Sequence, residues 1–332
     1  MKQASTERSD PYARVFGSRY SKGCMPQSSL SKPVAAQSSP PDLVLVWDLD
    51  ETLVTFHSLI NGSFAAGAPL QVQEATLELG KRWEHAALDL LDTHFFYDEL
   101  DGHNVEHIDD AGISRTGEGP NPIRQDGRAG SVAATWASVQ QRYQQGIATL
   151  ARQGQMELWV HLYNDTDTLT RGWLRHAAQL LQDCTAAASA APEAAATSAG
   201  AELPASRRVA NILVSAGQLV ATLAKLLLFR LDRFFPIQNI YSSAVHGKQE
   251  CFSRIRQQFQ HSAKFYAIGD SDEELWAAES QGWPFVQINT SESSWRSLQA
   301  QAISDPRQAA SCVFQHPLAH LTSAILLSEY QL

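Results

Sequence analysis

At 332 residues the chain is long enough to bury a sizeable core, and its 44% hydrophobic and 18% charged residues describe a mostly globular protein of one or two domains. A formal net charge of −9 excludes a general affinity for nucleic-acid phosphate, so any positive charge used on a phosphate ester must be local. Cys24, Cys184, Cys251 and Cys312 form no C-x-x-C pair, which argues against a zinc site or disulfide framework and for reduced thiols.

The first 41 residues are rich in Ser, Pro, Gln and basic residues, which predicts a disordered tail rather than a secretory signal; an organellar transit role stays open. Leu43–Trp47 is a short continuous apolar run, expected of a strand covered on both faces. Next come roughly 160 residues before another such run, far more than an ordinary crossover. They read as mostly helical. Leu77, Leu88, Leu91 and Phe95 are spaced for one helix face, Val132, Trp136, Val139 and Tyr143 for a second, and Leu169, Trp173, Leu174 and Leu181 for a third.

The expected organisation is therefore an α/β core (42–58 and 207–332) interrupted by a separate helical cap (59–185), with an Ala-rich linker (186–206) leading back. Gly112–Gly130 and Ala186–Ser206 read as disordered, the second because Pro192 and Pro204 break it and few large apolar residues can pack. Strands are expected at Val209–Val214, Lys264–Ile268 and Phe285–Ile288, with helices at Leu219–Leu231, Lys248–Phe259 and Asp272–Gln281. Lys225 and Arg230 interrupt the apolar stretch Ile212–Leu231, which fits a strand and helix better than a membrane span. Strands alternating with helices predict a doubly wound, Rossmann-like parallel sheet with right-handed crossovers. Ligands of such sheets lie beyond the carboxyl ends of the strands.

The polar motifs fall at those ends. Asp48-Leu49-Asp50-Glu51-Thr52 directly follows the first strand, and two aspartates one residue apart point to the same side. One can attack phosphorus and become an aspartyl-phosphate; the other can donate to the leaving oxygen and later take a proton from water. Repulsion between the carboxylates is expected to raise the pKa of one of them, suiting the acid role. Two carboxylates facing a phosphate call for a divalent cation, and Mg2+ suits an all-oxygen site. The bland alternative is a solvated acidic turn.

Ser215, with Ala216 and Gly217 behind it, places a hydroxyl and helix-start N–H groups where a phosphoryl oxygen could bind; a plain helix cap explains it about as well. Lys248 opens a helix, where a cation is unfavourable unless an anion is near. In Gly269-Asp270-Ser271-Asp272-Glu273-Glu274, Asp270 is first out of its strand and the best metal ligand. Glu274, one turn later, could orient a metal-bound water or Lys248. Acidic enrichment of a helix's first turn accounts for Glu273 and Asp272.

These motifs in this order resemble the haloacid dehalogenase superfamily. Val46–Thr52 with Phe56-His57-Ser58-Leu59, Asp92–Phe96, Ile108-Asp109-Asp110, Leu219–Leu228, Phe235-Pro236-Ile237, Asn239–Ser242, Gly247-Lys248 with Cys251-Phe252, and Ile268-Gly269-Asp270 further resemble the C-terminal domain of the Eyes absent family. That resemblance spans roughly Asp42 to Ile288 and implies a magnesium-dependent protein tyrosine phosphatase. It implies Asp48 as nucleophile and Asp50 as acid/base. It also implies a metal held by Asp48, Asp270 and the Asp50 carbonyl, and a phosphoryl group held by Ser215 and Lys248. Glu51, Thr52, Ala216 and Gly217 are grouped with the phosphate-binding residues.

The short tail looks like plant or algal members rather than animal ones. Ser271-Asp272 and Ala216-Gly217 depart from the animal pattern, which bears on partner binding more than on catalysis. The expected partner is a phosphotyrosine protein, with no membrane or direct nucleic-acid contact, in cytoplasm or nucleus; a homeodomain-type transcription partner follows from resemblance alone. The rival expectations are a phosphatase of a small phosphometabolite and a transcription cofactor or scaffold with residual activity.

Overall fold

The computed structural model describes residues 41–113, 131–189, 208–259 and 263–288. The expected tail, most of the Gly-rich segment and most of the Ala-rich linker lie outside them, as does everything after Ile288. In chain order the described elements are β1 (Leu43–Trp47), α1 (His57–Ile60), α2 (Leu70–His94), α3 (Tyr97–Leu100), α4 (Val132–Gln145), α5 (Ile147–Leu150), α6 (Gln155–Leu169) and α7 (Trp173–Ser189). They continue with β2 (Val209–Ser215), α8 (Leu219–Leu228), β3 (Ile240–Ser242), α9 (Lys248–Gln258), β4 (Lys264–Gly269), α10 (Asp272–Gln281) and β5 (Phe285–Gln287).

The strands form one sheet in the order β3-β2-β1-β4-β5, and all four pairings are parallel. β1 lies at its centre, buried on both faces, which is why its five residues are all apolar. Leu43, Leu45 and Trp47 point to one face and Val44 and Val46 to the other. On the second face they meet α9 and α10 through Cys251, Phe252, Ile255, Ala277 and Ala278. On the first they meet α8, whose ten residues are all buried, and the insertion.

Trp83, Trp136 and Trp173 of the insertion share one continuous core with Trp47 and Leu213 of the sheet. The Trp83 indole stacks on Phe229, with ring centroids 4.2 Å apart, and donates to Thr166 Oγ1 at 2.8 Å. At Gly80 the backbone of α1 crosses α2 so closely that an added Cβ would lie 2.5 Å from Leu59 O.

Several helix boundaries differ from the expected ones. Leu77 is exposed, and the buried face of α2 runs through Leu79, Trp83, Ala87, Leu90 and Leu91 instead. The stripe Leu169–Leu181 belongs to two helices, because Arg171 takes a left-handed φ of 54°. Its N–H reaches Thr168 O while Gly172 N–H reaches Asp167 O, which closes α6. Arg230, φ 58°, ends α8 in the same way at Leu228, three residues early. α7 runs through Ser189, beyond the expected start of the linker. β3 is an additional strand of three residues.

A segment of the insertion also lies on the sheet's β3 edge. Ser242 N–H donates to Glu106 O at 2.8 Å, His107 forms an antiparallel bridge with Tyr241, and the two rings stack. Arg254 of α9 clamps Asp110 with two bonds, of 2.6 and 2.8 Å, and Glu106 at 3.2 Å.

Candidate active site

The register of β1 against β4 and β2 brings the chemistry together. Trp47 is opposite Leu213 and Ile268, so the chain leaves β1 as Asp48 beside the carboxyl ends of both neighbours. Asp48 N–H extends the ladder to Ile268 O at 2.9 Å, and its side chain is buried. The turn that follows is tight: Leu53 and Val54 N–H both donate to Leu49 O, at 2.9 and 3.0 Å, and Glu51 N–H donates to Val54 O at 2.7 Å. It forces Glu51 to a φ of 62°, a cost of about 1–2 kcal/mol for a residue with a Cβ. The Glu51 carboxylate offsets this by accepting from the N–H groups of Phe56 and Ser58, at 3.1 and 3.0 Å. Grouped by sequence with the phosphate ligands, Glu51 has its charge committed to shaping the loop.

Lys248, the first residue of α9, crosses to Asp48 with Nζ 2.8 Å from Oδ1 and also touches Glu274. All three side chains are buried. A lysine at a helix start would be disfavoured by the macrodipole, and two carboxylates reverse that balance. Glu274 sits three residues after Ser271, and its second oxygen accepts from Ser271 N–H at 2.8 Å, so the first turn of α10 fixes it facing Lys248. Gly269 makes room: a Cβ there would lie 2.6 Å from Glu274 Cγ.

Asp50 differs from Asp48. Its Oδ2 receives a 2.5 Å hydrogen bond from Lys225 Nζ, and His57 Nε2 is 4.0 Å away. Its Oδ1 is buried with no hydrogen-bond partner. Burial pushes the carboxyl up, but Lys225 foremost, then His57 and Lys248, outweigh it and hold the pKa below the ordinary carboxylate value. The expected upward shift at Asp50 is therefore reversed, because the nearest charge is an ammonium rather than a carboxylate. Neither Lys225 nor His57 stood out in the sequence as a site residue; a lysine inside LVATLAKLLL, where every neighbour is buried, was the available signal.

Ser215 ends β2 and is fully buried; its Oγ accepts from Gly217 N–H at 3.3 Å and keeps its own O–H to donate. Gly217 O takes a bond from Ser242 Oγ at 2.7 Å, and Asn104 of the insertion caps Leu219 N–H at 2.9 Å. Ala216 lies between them in the same turn. Thr52 Oγ1 is buried without a partner, as a hydroxyl awaiting a polar ligand would be. Asp270 follows β4 directly, one residue beyond Gly269, the position that continues the register opposite Asp48.

Among the described residues no group of three or more His, Cys, Asp and Glu could by itself hold a metal ion. The expected set is two carboxylates, of Asp48 and Asp270, and the Asp50 carbonyl, so it is not such a cluster. With the Asp50 carboxylate turned to Lys225, the donors are all hard oxygens, a set that fits a dication completed by phosphate and water.

Open parallel sheets bind ligands at this rim, and a buried strand-end D-x-D faced by a lysine from a later crossover defines a phosphatase of the haloacid dehalogenase class. Comparison with known proteins agrees. The chain is 33% identical over 264 residues to "Protein phosphatase EYA" of Arabidopsis thaliana, a match covering 75% of this chain and 83% of that protein. To "Protein phosphatase EYA2" of Homo sapiens it is 30% identical, covering 78% of this chain and 49% of the relative; to "Protein phosphatase eya" of Drosophila melanogaster it is 29% identical, covering 75% and 34%. It thus spans about half or less of these animal proteins. No family model matches. The chain belongs to the Eyes absent (EYA) phosphatase family.

Proposed function

We propose that the protein is a magnesium-dependent protein tyrosine phosphatase working through an aspartyl-phosphate on Asp48. The observation that carries this reading is the pair of unlike aspartates: Asp48 is aligned by Lys248 at the rim, while Asp50 beside it is held through Oδ2 by Lys225 with Oδ1 unengaged. The relatives' printed name, protein phosphatase, supports a protein substrate.

Asp48, Asp270 and the Asp50 carbonyl would hold Mg2+, which when bound offsets the negative charge of phosphate and carboxylates. Lys248 and the Ser215 hydroxyl, with Thr52 and the N–H group at Ala216, bind and orient the phosphoryl oxygens, while Gly217 N–H holds Ser215 Oγ in place. A carboxylate oxygen of Asp48 forms a bond to phosphorus as the bond to the tyrosyl oxygen breaks, and its electron pair leaves with that oxygen. An Asp50 held ionised is a weak acid, which matters little for a phenol, whose pKa is ~10, and far more for a serine alcohol. The same ionisation makes Asp50 a competent base. It takes a proton from water as the water oxygen bonds to phosphorus and Asp48 departs.

Asp48→Asn preserves size and the hydrogen bond from Lys248 but removes the nucleophile. Turnover of phosphotyrosine peptides should fall by at least ~10³-fold, with wild-type activity dependent on added magnesium. Full magnesium-dependent turnover by Asp48→Asn would refute the scheme. Faster wild-type turnover of sugar phosphates or phosphoserine peptides would refute the tyrosine assignment.

A further inference from the structure

Lys225 is buried completely in the middle of α8, the helix packed under the sheet's first face. An ammonium so placed costs several kcal/mol unless a charge answers it, and a methionine or leucine would fill the volume without that cost. The charge that answers it is Asp50, through a 2.5 Å bond to Oδ2, while the Phe56 ring lies under Nζ with its centroid 5.1 Å away. The two oxygens of Asp50 therefore differ: Oδ2 is clamped and Oδ1 is buried without a partner.

We propose that Lys225 is a positioning residue for the reaction: by gripping Oδ2 it fixes the Asp50 carboxylate and reserves Oδ1 for the water that releases phosphate from Asp48. This rests on the aspartyl-phosphate reading above and adds to it the residue that orients the base. Without the clamp, Asp50 is free to turn, and misplacement of a reacting group by about 1 Å can cost on the order of a hundredfold in rate.

Lys225→Met and Lys225→Gln test it; the second keeps a hydrogen-bond donor for Oδ2 without the charge. With p-nitrophenyl phosphate, Lys225→Met should release about one nitrophenol per enzyme in a burst and then turn over at least about tenfold more slowly than wild type, with KM within about twofold. Phosphoenzyme should accumulate. Lys225→Gln should recover most of the steady rate, and Lys225→Met should slow an Asp50→Asn protein no further. Melting of the metal-free proteins checks folding, and the double variant should lose less than the sum of the single losses.

Even loss of rate with no burst, or additive effects with Asp50→Asn, overturns the positioning role. Wild-type turnover alongside an unimpaired Lys225→Met sinks this inference alone. A wild type that forms no phosphoenzyme sinks the aspartyl-phosphate reading and this inference with it.

Discussion

Lys248→Met removes one charge from the centre of the site while keeping its volume. Lys248 lies between Asp48 and Glu274, whose side chains are 6% and 3% exposed, so deleting Nζ leaves two buried carboxylates facing each other without a cation. Removing one partner of a buried ion pair costs about 3–5 kcal/mol. At about 2–4 °C per kcal/mol for a chain of this order of size, the metal-free protein should melt about 10 °C below wild type. Magnesium should recover more stability in the variant than in wild type, since a dication held by Asp48 answers one of the two charges left unpaired. Turnover should still fall about 10²–10³-fold, because the phosphoryl oxygens lose a fixed donor. Thermal melting in EDTA and across a magnesium titration, paired with phosphopeptide kinetics, reads both effects. A metal-free melting point within about 1 °C of wild type would show that the carboxylates do not depend on Lys248 and refute the reasoning.

Gly269→Ala drives a methyl group into Glu274, 2.6 Å from Cγ, and should cost about 1–3 kcal/mol and at least tenfold in turnover, measured by urea unfolding and phosphatase assay. The pKa of Asp50 is lower in the folded chain than in the unfolded one, so its stabilisation is complete above about pH 5 and is lost as pH falls through ~4 and on through the folded value. The stability gap between wild-type and Asp50→Asn metal-free protein should therefore be widest near neutrality and narrow as pH falls through and below the ordinary carboxylate range in pH-resolved denaturation. A gap that widens on acidification would contradict the assigned sign.

What could be read from sequence followed from how one-sided each signal is. β1, buried on both faces, had to be apolar at every position, and its bounds were legible as Leu43–Trp47; the same logic located β2 and β4 to within a residue. Asp48, Ser215, Lys248 and Asp270 each stand at a strand end or helix start, where position alone gives a polar residue meaning. β3 is three residues long, too short for any periodicity, and only its pairing with β2 makes it a strand. The end of α8 was hidden because Arg230 occupies the left-handed position where glycine would have announced a stop; at α6 Arg171 takes that position and Gly172 follows it. Lys225 was hidden for the opposite reason: in sequence it interrupts an apolar face, and only the fold shows that its amine meets Asp50 175 residues away. Its partner inverts the protonation expected of Asp50, an outcome that spacing between two aspartates could not reveal.

The segment from Glu106 to Asp110 joins the sheet by a main-chain bond at Ser242 and a forked guanidinium at Arg254, in addition to the core that the insertion shares with β1 and β2. An insertion tied down at its middle as well as its two ends is a wall rather than a hinged flap.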